Sequence, residues 1–239
     1  IPAVQDGIVI ENGTDGNQFV WVPVGTIKNK DASTNTITLG RYSNFAKQNG
    51  TYVPAQNANN CTQEVTINTY FKELSTFREG NTATDSTAQN ATARNLAEFI
   101  STSLSNGGYY IARFEASGTA SKITSKYNQT VLGNITQPNA AKVAREMYGE
   151  VKENNELVYA SDLVNSYAWD TAIIFIQTYS TETDASSFAN TGKSNDKYCN
   201  IFDMSGNAYE WTTEYSAKSV DSDFCPCVPR GGLRYSGWL

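Results

Sequence analysis

The side chains best equipped for chemistry in this sequence are its four cysteines, Cys61, Cys199, Cys225 and Cys227. Thiolates bind soft metals such as Cu(I) or zinc, and Cys225 and Cys227 stand one residue apart as a Cys-X-Cys pair. A disulfide between those two would close a very small, strained ring. All four remain disulfide candidates, and three pairings are open. An even number of cysteines in an acidic chain rich in Asn and Thr points to an oxidising, extracytoplasmic setting. There is no histidine, which excludes Ser-His-Asp triads, His-ligated zinc and imidazole acid/base chemistry. Glu115 and Asp170 are acid/base candidates by type, but no partner constellation surrounds either in the sequence, and both read as structural. Arg230 has the planar fork that holds a carboxylate, and an internal ion pair is the reading we adopt for it.

The 239 residues carry a net charge of −6 and 39% hydrophobic residues. That apolar content, with its aromatic share, is too high for a disordered chain. The length allows a sizeable core, and no linker divides it, so residues 1–239 are expected to form one domain. Nucleic-acid binding requires a basic face to displace counterions, and no Lys/Arg cluster supplies one. The longest apolar run, Ala172 to Ile176, is far short of a membrane span. A phosphate-cradling glycine loop and a dinucleotide fingerprint are both missing. The sequence begins at Ile1 rather than Met, as after removal of a leader or a trimmed start.

These residues need elements to position them. Gln18 to Val24 (QFVWVPV) reads as a strand buried on both faces, paired in a hairpin with Gly7 to Ile10 around the turn-rich ENGTDGN. Lys28 to about Thr87 reads as long loops, with short ordered pieces at RYSNF and TYVPA. Leu96, Phe99, Ile100 and Leu104 share one face of a predicted helix over 91–104, closed by Asn106-Gly107-Gly108. Tyr109 to Ser117 reads as a central strand. A second helix is predicted over 134–149, with Pro138 in its first turn and Val143, Ala144, Met147 and Tyr148 buried. A third is predicted over 161–179, with Ser161 or Asp162 as N-cap and an apolar side of Leu163, Tyr167, Ile174 and Phe175. Ala208 to Tyr215 alternates as a half-buried strand. This order predicts a mixed α+β fold with about three helices and long loops.

Several segments, in order, resemble the formylglycine-generating-enzyme family, the sulfatase-modifying-factor branch of the C-type-lectin fold. The most specific is NIFDMSGNAYEWT (Asn200 to Thr212), which is similar to the family's "yDMxGNvWEWt" signature. FVWVPVG (Phe19 to Gly25) resembles the opening strand, GYYIARFEAS (Gly108 to Ser117) the "yxIgryEvT" strand, SYAWDTAIIFIQ (Ser166 to Gln177) the helix after it, and PRGG (Pro229 to Gly232) the "RGGS" strand. The collinearity covers most of the chain and implies a C-type-lectin-like fold with mixed antiparallel strands. The spacing is similar to a subgroup of surface proteins in gut Firmicutes and their phages, some of which follow a pilin-like helix.

The resemblance implies a calcium site with side-chain oxygens at Asp203 and Glu210 and backbone carbonyls at Gly206 and Ala208, in a turn that Gly206-Asn207 makes possible. The plainer alternative is a capped hairpin turn with a solvated Asp and Glu. Tyr209 and Trp211 read as packing rather than as a ligand-stacking wall. The family's enzymes convert a sulfatase cysteine to formylglycine with a copper-binding cysteine pair after the RGG strand. Here LRYSGWL follows Gly232 without a cysteine, and Cys225 and Cys227 precede that strand, so the expectation is a non-catalytic module on a domain cut short at its C-terminus. The copper-dependent oxidase is the alternative, and a structural subunit of a phage tail or pilus-like assembly a third. In some relatives the segment after RGG contacts ligand. Arg234, Tyr235 and Trp238 are the corresponding candidates here, being residue types that anchor interfaces. The implied partner is a glycan or protein on a surface, or other subunits of a surface or virion assembly. The implied location is extracellular, at the cell surface or on a virion.

Overall fold

The computed structural model describes residues 3–55, 65–66, 71–73, 96–180, 189–216 and 227–231. It is an α+β fold. In chain order the strands are β1 (Ile8–Glu11), β2 (Gln18–Pro23), β3 (Gly25–Lys28), β4 (Thr34–Ile37), β5 (Val65–Thr66) and β6 (Phe71–Glu73). Helix α1 (Leu96–Asn106) leads to β7 (Gly108–Ala112), β8 (Ser117–Thr119) and β9 (Lys122–Thr124), and α2 (Gln137–Tyr148) to β10 (Glu150–Glu153) and β11 (Glu156–Ala160). Helix α3 (Ser166–Tyr179) precedes β12 (Lys197–Tyr198), β13 (Ile201–Phe202), β14 (Glu210–Ser216) and β15 (Cys227–Arg230). One sheet has the order β1-β2-β7 and another β15-β14-β6-β5, and the remaining strands form two-stranded hairpins. All pairings are antiparallel.

The predicted β1–β2 hairpin forms, with Ile8 opposite Trp21 and Glu11 opposite Gln18. Its connection is tied by Asn12 N–H to the Asn17 carbonyl at 2.9 Å and by the Asn12 and Asp15 side chains accepting from Thr14 and Asn17 N–H. Strand β2 is buried along one face and on the other only at Pro23. Val20 and Val22 enter the core, while Phe19 and Trp21 lie half-buried on the other face against Tyr148 and Tyr110. Strand β7 ends at Ala112 and sits at the sheet edge rather than its centre, because β1 and β7 flank β2.

Helix α3 is the spine of the core. Every residue from Ser166 to Ile176 is buried, because β2, β4 and β14 pack around it. Burying each large apolar side chain in this run contributes roughly 1.5–3 kcal/mol. Its N-cap is Asn165, whose Oδ1 accepts the Ala168 N–H at 2.8 Å, so the helix starts later than Ser161 or Asp162 would place it. Those two residues serve α2 instead. Ser161 Oγ accepts from Tyr148 N–H and donates to the Arg145 carbonyl, both at 3.0 Å, and Asp162 accepts from Arg145 Nε at 3.1 Å. Leu163 accordingly lies outside the helix.

Helix α1 buries Leu96 and Ile100, but its third buried position is Ser103, and Leu104 is 41% exposed. Gly107, at φ 74°, ends it as expected. In α2, Val143 and Ala144 are buried, and Met147 and Tyr148 are half-buried. Strand β14 departs from alternation. Thr212, Thr213, Glu214 and Tyr215 are all buried, since the strand runs between β15 and β6 with helices against it.

Candidate functional site

The DMSGNAYEW segment follows β13 and leads into β14, and its turn is fixed by side chains from elsewhere in the chain. Asp203 and Asn207 take left-handed backbone conformations, at φ 64° and 67°, which short polar side chains tolerate best. Asp203 Oδ2 accepts the Gly192 N–H at 3.2 Å, and Oδ1 accepts the Ser194 hydroxyl. Asp196 reaches the same turn from the other side, its Oδ2 accepting from Ser205 N–H at 2.9 Å and from Ser205 Oγ at 2.7 Å. Glu115, just past β7, accepts Asn207 Nδ2 at 2.6 Å and Ala208 N–H at 2.9 Å. Asn207 Oδ1 in turn accepts the Ala189 N–H at 3.0 Å. Three carboxylates thus serve as backbone anchors for two loops, residues 189–196 and 203–208.

All of these acids are out of water. Asp203 is 1% exposed, Asp196 4% and Glu115 9%, so the alternative of a solvated Asp in a plain hairpin turn is set aside. Burial, then the nearby Asp203 and Asp196 charges, push the Glu115 carboxyl up to about 9. Burial also raises Asp203, against the pull of its Ser194, Gly192 and Asn207 partners. Glu210 opens β14, and burial and then the Glu115 charge lift it well above the ordinary carboxylate range. Its Oε2 is buried without a hydrogen-bond partner. Trp169 Nε1 lies close enough to favour the charged form of Glu210 without making a hydrogen bond. Gly231 faces this carboxylate so closely that any side chain there would overlap Glu210 Oε2.

The four residues assigned to calcium therefore stand in one turn and its exit strand. Gly206 is buried, Ala208 spends its N–H on Glu115, and Asp203 arrives with both oxygens already accepting from protein donors. Glu210 is the member with an open buried oxygen. Among the described residues no three His, Cys, Asp or Glu side chains are placed together as metal ligands, so a cation here would draw on backbone carbonyls. In charge and in the Glu210 oxygen the residues fit a hard cation, since several buried carboxylates in electrostatic contact need either protons or a counter-charge.

Behind this turn lies a second buried cluster. Arg41 pairs with Asp170 at 2.8 Å and with Glu214 at 3.1 Å, and Arg230 pairs with Asp170 at 3.3 Å and with Glu214 at 2.5 Å. Arg230 also lies over the Trp169 ring at 5.9 Å, and Asp170 accepts the Tyr42 N–H. Arg230 thus makes the internal ion pair expected of it, with Asp170 as one of its partners. Arg41 and Glu214 were missed, and little in the sequence could have revealed them, because they lie 173 positions apart. Trp211 also serves packing, its Nε1 donating to the Ile135 carbonyl at 2.8 Å.

Of the disulfide candidates, Cys199 is a free thiol, pushed up to about 12 by burial and the nearby Asp6. Cys227 begins β15 and is half-buried. Cys61 and Cys225 lie outside the described residues, as do the ligand-contacting candidates Arg234, Tyr235 and Trp238. No helix among the described residues is long and apolar enough to cross a membrane. No family model matches the chain, and no curated protein or solved structure matches it either.

Proposed function

We propose that this chain is a ligand- or surface-binding module, working outside the cytoplasm on a C-type-lectin-like scaffold of the formylglycine-generating-enzyme type. The observation that carries the reading is how its buried acids are used. Glu115, Asp196 and Asp203 are spent on holding loop backbone, and Asp170 on an internal ion network. Rigid loops on a packed frame are what a binding surface needs, because ordering them beforehand removes an entropic cost of association. Small antiparallel sheets, three helices among the described residues and anchored loops agree with the proposed scaffold. Arg234, Tyr235 and Trp238 supply ligand contacts in this reading, to a surface glycan or protein.

Calcium belongs to the same proposal. Glu210, Asp203 and the carbonyls of Gly206 and Ala208 would hold it. It would supply positive charge to a turn surrounded by buried carboxylates.

The test is incubation of the longest available form of the protein with a Cys-X-Pro-X-Arg peptide, copper and oxygen, read by peptide mass. An unchanged peptide beside a working control enzyme supports the binding module. Conversion of the cysteine to formylglycine overturns it in favour of a copper-dependent oxidase. Self-assembly into filaments or rings would instead favour a structural subunit of a phage or pilus-like particle.

A further inference from the structure

A second surface has the makings of a ligand site. Tyr127, on the turn after β9, is 51% exposed. The Lys193 ammonium lies over its ring, 4.8 Å from the centroid. Inward from Tyr127 the rings of Phe114 and Phe202 follow at centroid separations of 6.0 and 5.0 Å. Lys197 and Arg113 cover Phe202 at 5.4 and 5.5 Å. Three cations are thus gathered along one short aromatic ladder in a chain whose net charge is −6. Within the described residues neither lysine meets a carboxylate at ion-pair distance, and Arg113 is held by the neutral Gln18 side chain and the Asn200 carbonyl.

The platform is built to be stiff. Thr191 is fully buried and stitches the 126–129 turn to the 189–193 turn. Its carbonyl accepts Asn128 N–H at 2.7 Å, its N–H donates to the Gln129 carbonyl at 2.9 Å, and its hydroxyl accepts Gln129 N–H at 2.9 Å and donates to the Lys126 carbonyl. Gly192 lies so close beneath the rings that a Cβ would come within 2.6 Å of Phe114 and 2.8 Å of Tyr127. Asp203 fastens the residues on either side of Lys193, through Gly192 N–H and Ser194 Oγ. The exposed side chains around Tyr127 include the amides Asn128 and Gln129.

An exposed aromatic face offers stacking to apolar C–H groups, amides pair with hydroxyls in both donor and acceptor senses, and the cations select negative charge. We propose that the Tyr127–Lys193 platform binds an anionic sugar, one bearing a carboxylate or a sulfate. This site is separate from residues 234–238 and stands or falls independently of them. Discrete amides and a single exposed ring suit one or two sugar units better than a long polyanion, which needs an extended basic stripe.

Calorimetric titration with trigalacturonate, a heparin hexasaccharide and neutral maltotriose tests the proposal. Trigalacturonate or the heparin fragment is expected to bind, with maltotriose silent; binding of trigalacturonate marks carboxylate as the recognised group, and binding of the heparin fragment alone marks sulfate, since heparin carries carboxylates too. Lys193→Gln should weaken binding about fivefold, the effect of roughly 1 kcal/mol from one exposed charge, and Tyr127→Ala at least as much. Tyr127→Phe, which keeps the ring, should retain binding, and Lys28→Gln, an exposed lysine elsewhere, should not change it. Circular dichroism confirms that each variant folds. Absence of binding by both acidic sugars, equal binding of maltotriose, or undiminished affinity in folded Lys193→Gln and Tyr127→Ala would overturn the proposal.

Discussion

Replacing Glu73 with glutamine should remove a specific dependence of stability on pH. Glu73 is fully buried on β6. Its carboxylate accepts Ser166 N–H at 3.0 Å and the hydroxyls of Ser166 and Thr213. It sits at the first turn of α3, where the helix dipole favours negative charge. Burial outweighs these donors and, with repulsion from Glu214, pushes the carboxyl up to about 7 from 4.5. A raised folded value means that the folded protein holds the proton more tightly than the unfolded chain. The stabilisation is therefore fully present below 4.5 and is lost as the pH climbs through 7. At 1.36 kcal/mol per tenfold change in proton affinity, the loss between pH 5 and pH 8 is about 2–3 kcal/mol. Urea unfolding of wild type and Glu73→Gln, which mimics the protonated acid, should give similar stabilities at pH 5. At pH 8 the variant should be the more stable by about 2–3 kcal/mol, the amount the wild-type carboxylate has lost. Taking the difference between the two proteins cancels every other titrating group they share. Parallel curves for both proteins across this range would refute the reasoning.

Removing Arg230 by substitution to Met should destabilise the protein by about 3–5 kcal/mol, because Asp170 and Glu214 keep buried charges after losing a partner. Urea unfolding measures this, and a change below about 1 kcal/mol would place the pair in the weak, screened class of surface bridges. Gly7→Ala should cost more than about 2 kcal/mol, since φ at this position is 81° and a Cβ would overlap the Cys199 carbonyl. Thermal melting should show this as a clear fall in Tm, whereas Gly13→Ala, with open space around it, should leave Tm within a degree or two. Calcium should raise Tm relative to chelator in wild type and not in Glu210→Gln. An unchanged melt on chelation, with no metal in the purified protein, would rule the ion out.

Local patterns in the sequence were informative wherever the chain acts on near neighbours. The β1–β2 hairpin, the three helices and the glycine that closes α1 all follow from period, turn residues and caps. The start of α3 was misplaced because Ser161 and Asp162 have capping side chains but spend them on Arg145 and Tyr148. The β10–β11 hairpin went unread although Asn154 and Asn155, both with positive φ, are residues suited to a tight two-residue turn. At the candidate site, the sequence singled out DMSGNAYEW, which the structure places between β13 and β14. Of the partners that hold it, Asp196 and Ser194 act from nine positions away and Glu115 from 92 and 93, separations that no helix or strand period encodes. Glu115 was noticed as a carboxylate, but its task of fixing the 207–208 backbone became visible only in three dimensions.

The burial of α3 from Ser166 to Ile176 also constrains how the protein comes into being during synthesis. Its covering strands β2 and β4 are translated long before it, but β14 and β15 are translated after it, and Glu73 waits for Thr213, 140 positions later. Until Ile201 and Met204 have followed it out of the ribosome, the apolar cluster around the AIIFI stretch is incomplete, and the stretch stays accessible to holdase chaperones or to other nascent chains. Structure built from such distant pairs closes slowly. Stalling translation between α3 and β14 should therefore leave a chaperone-bound, protease-sensitive chain, and release beyond β15 a resistant one.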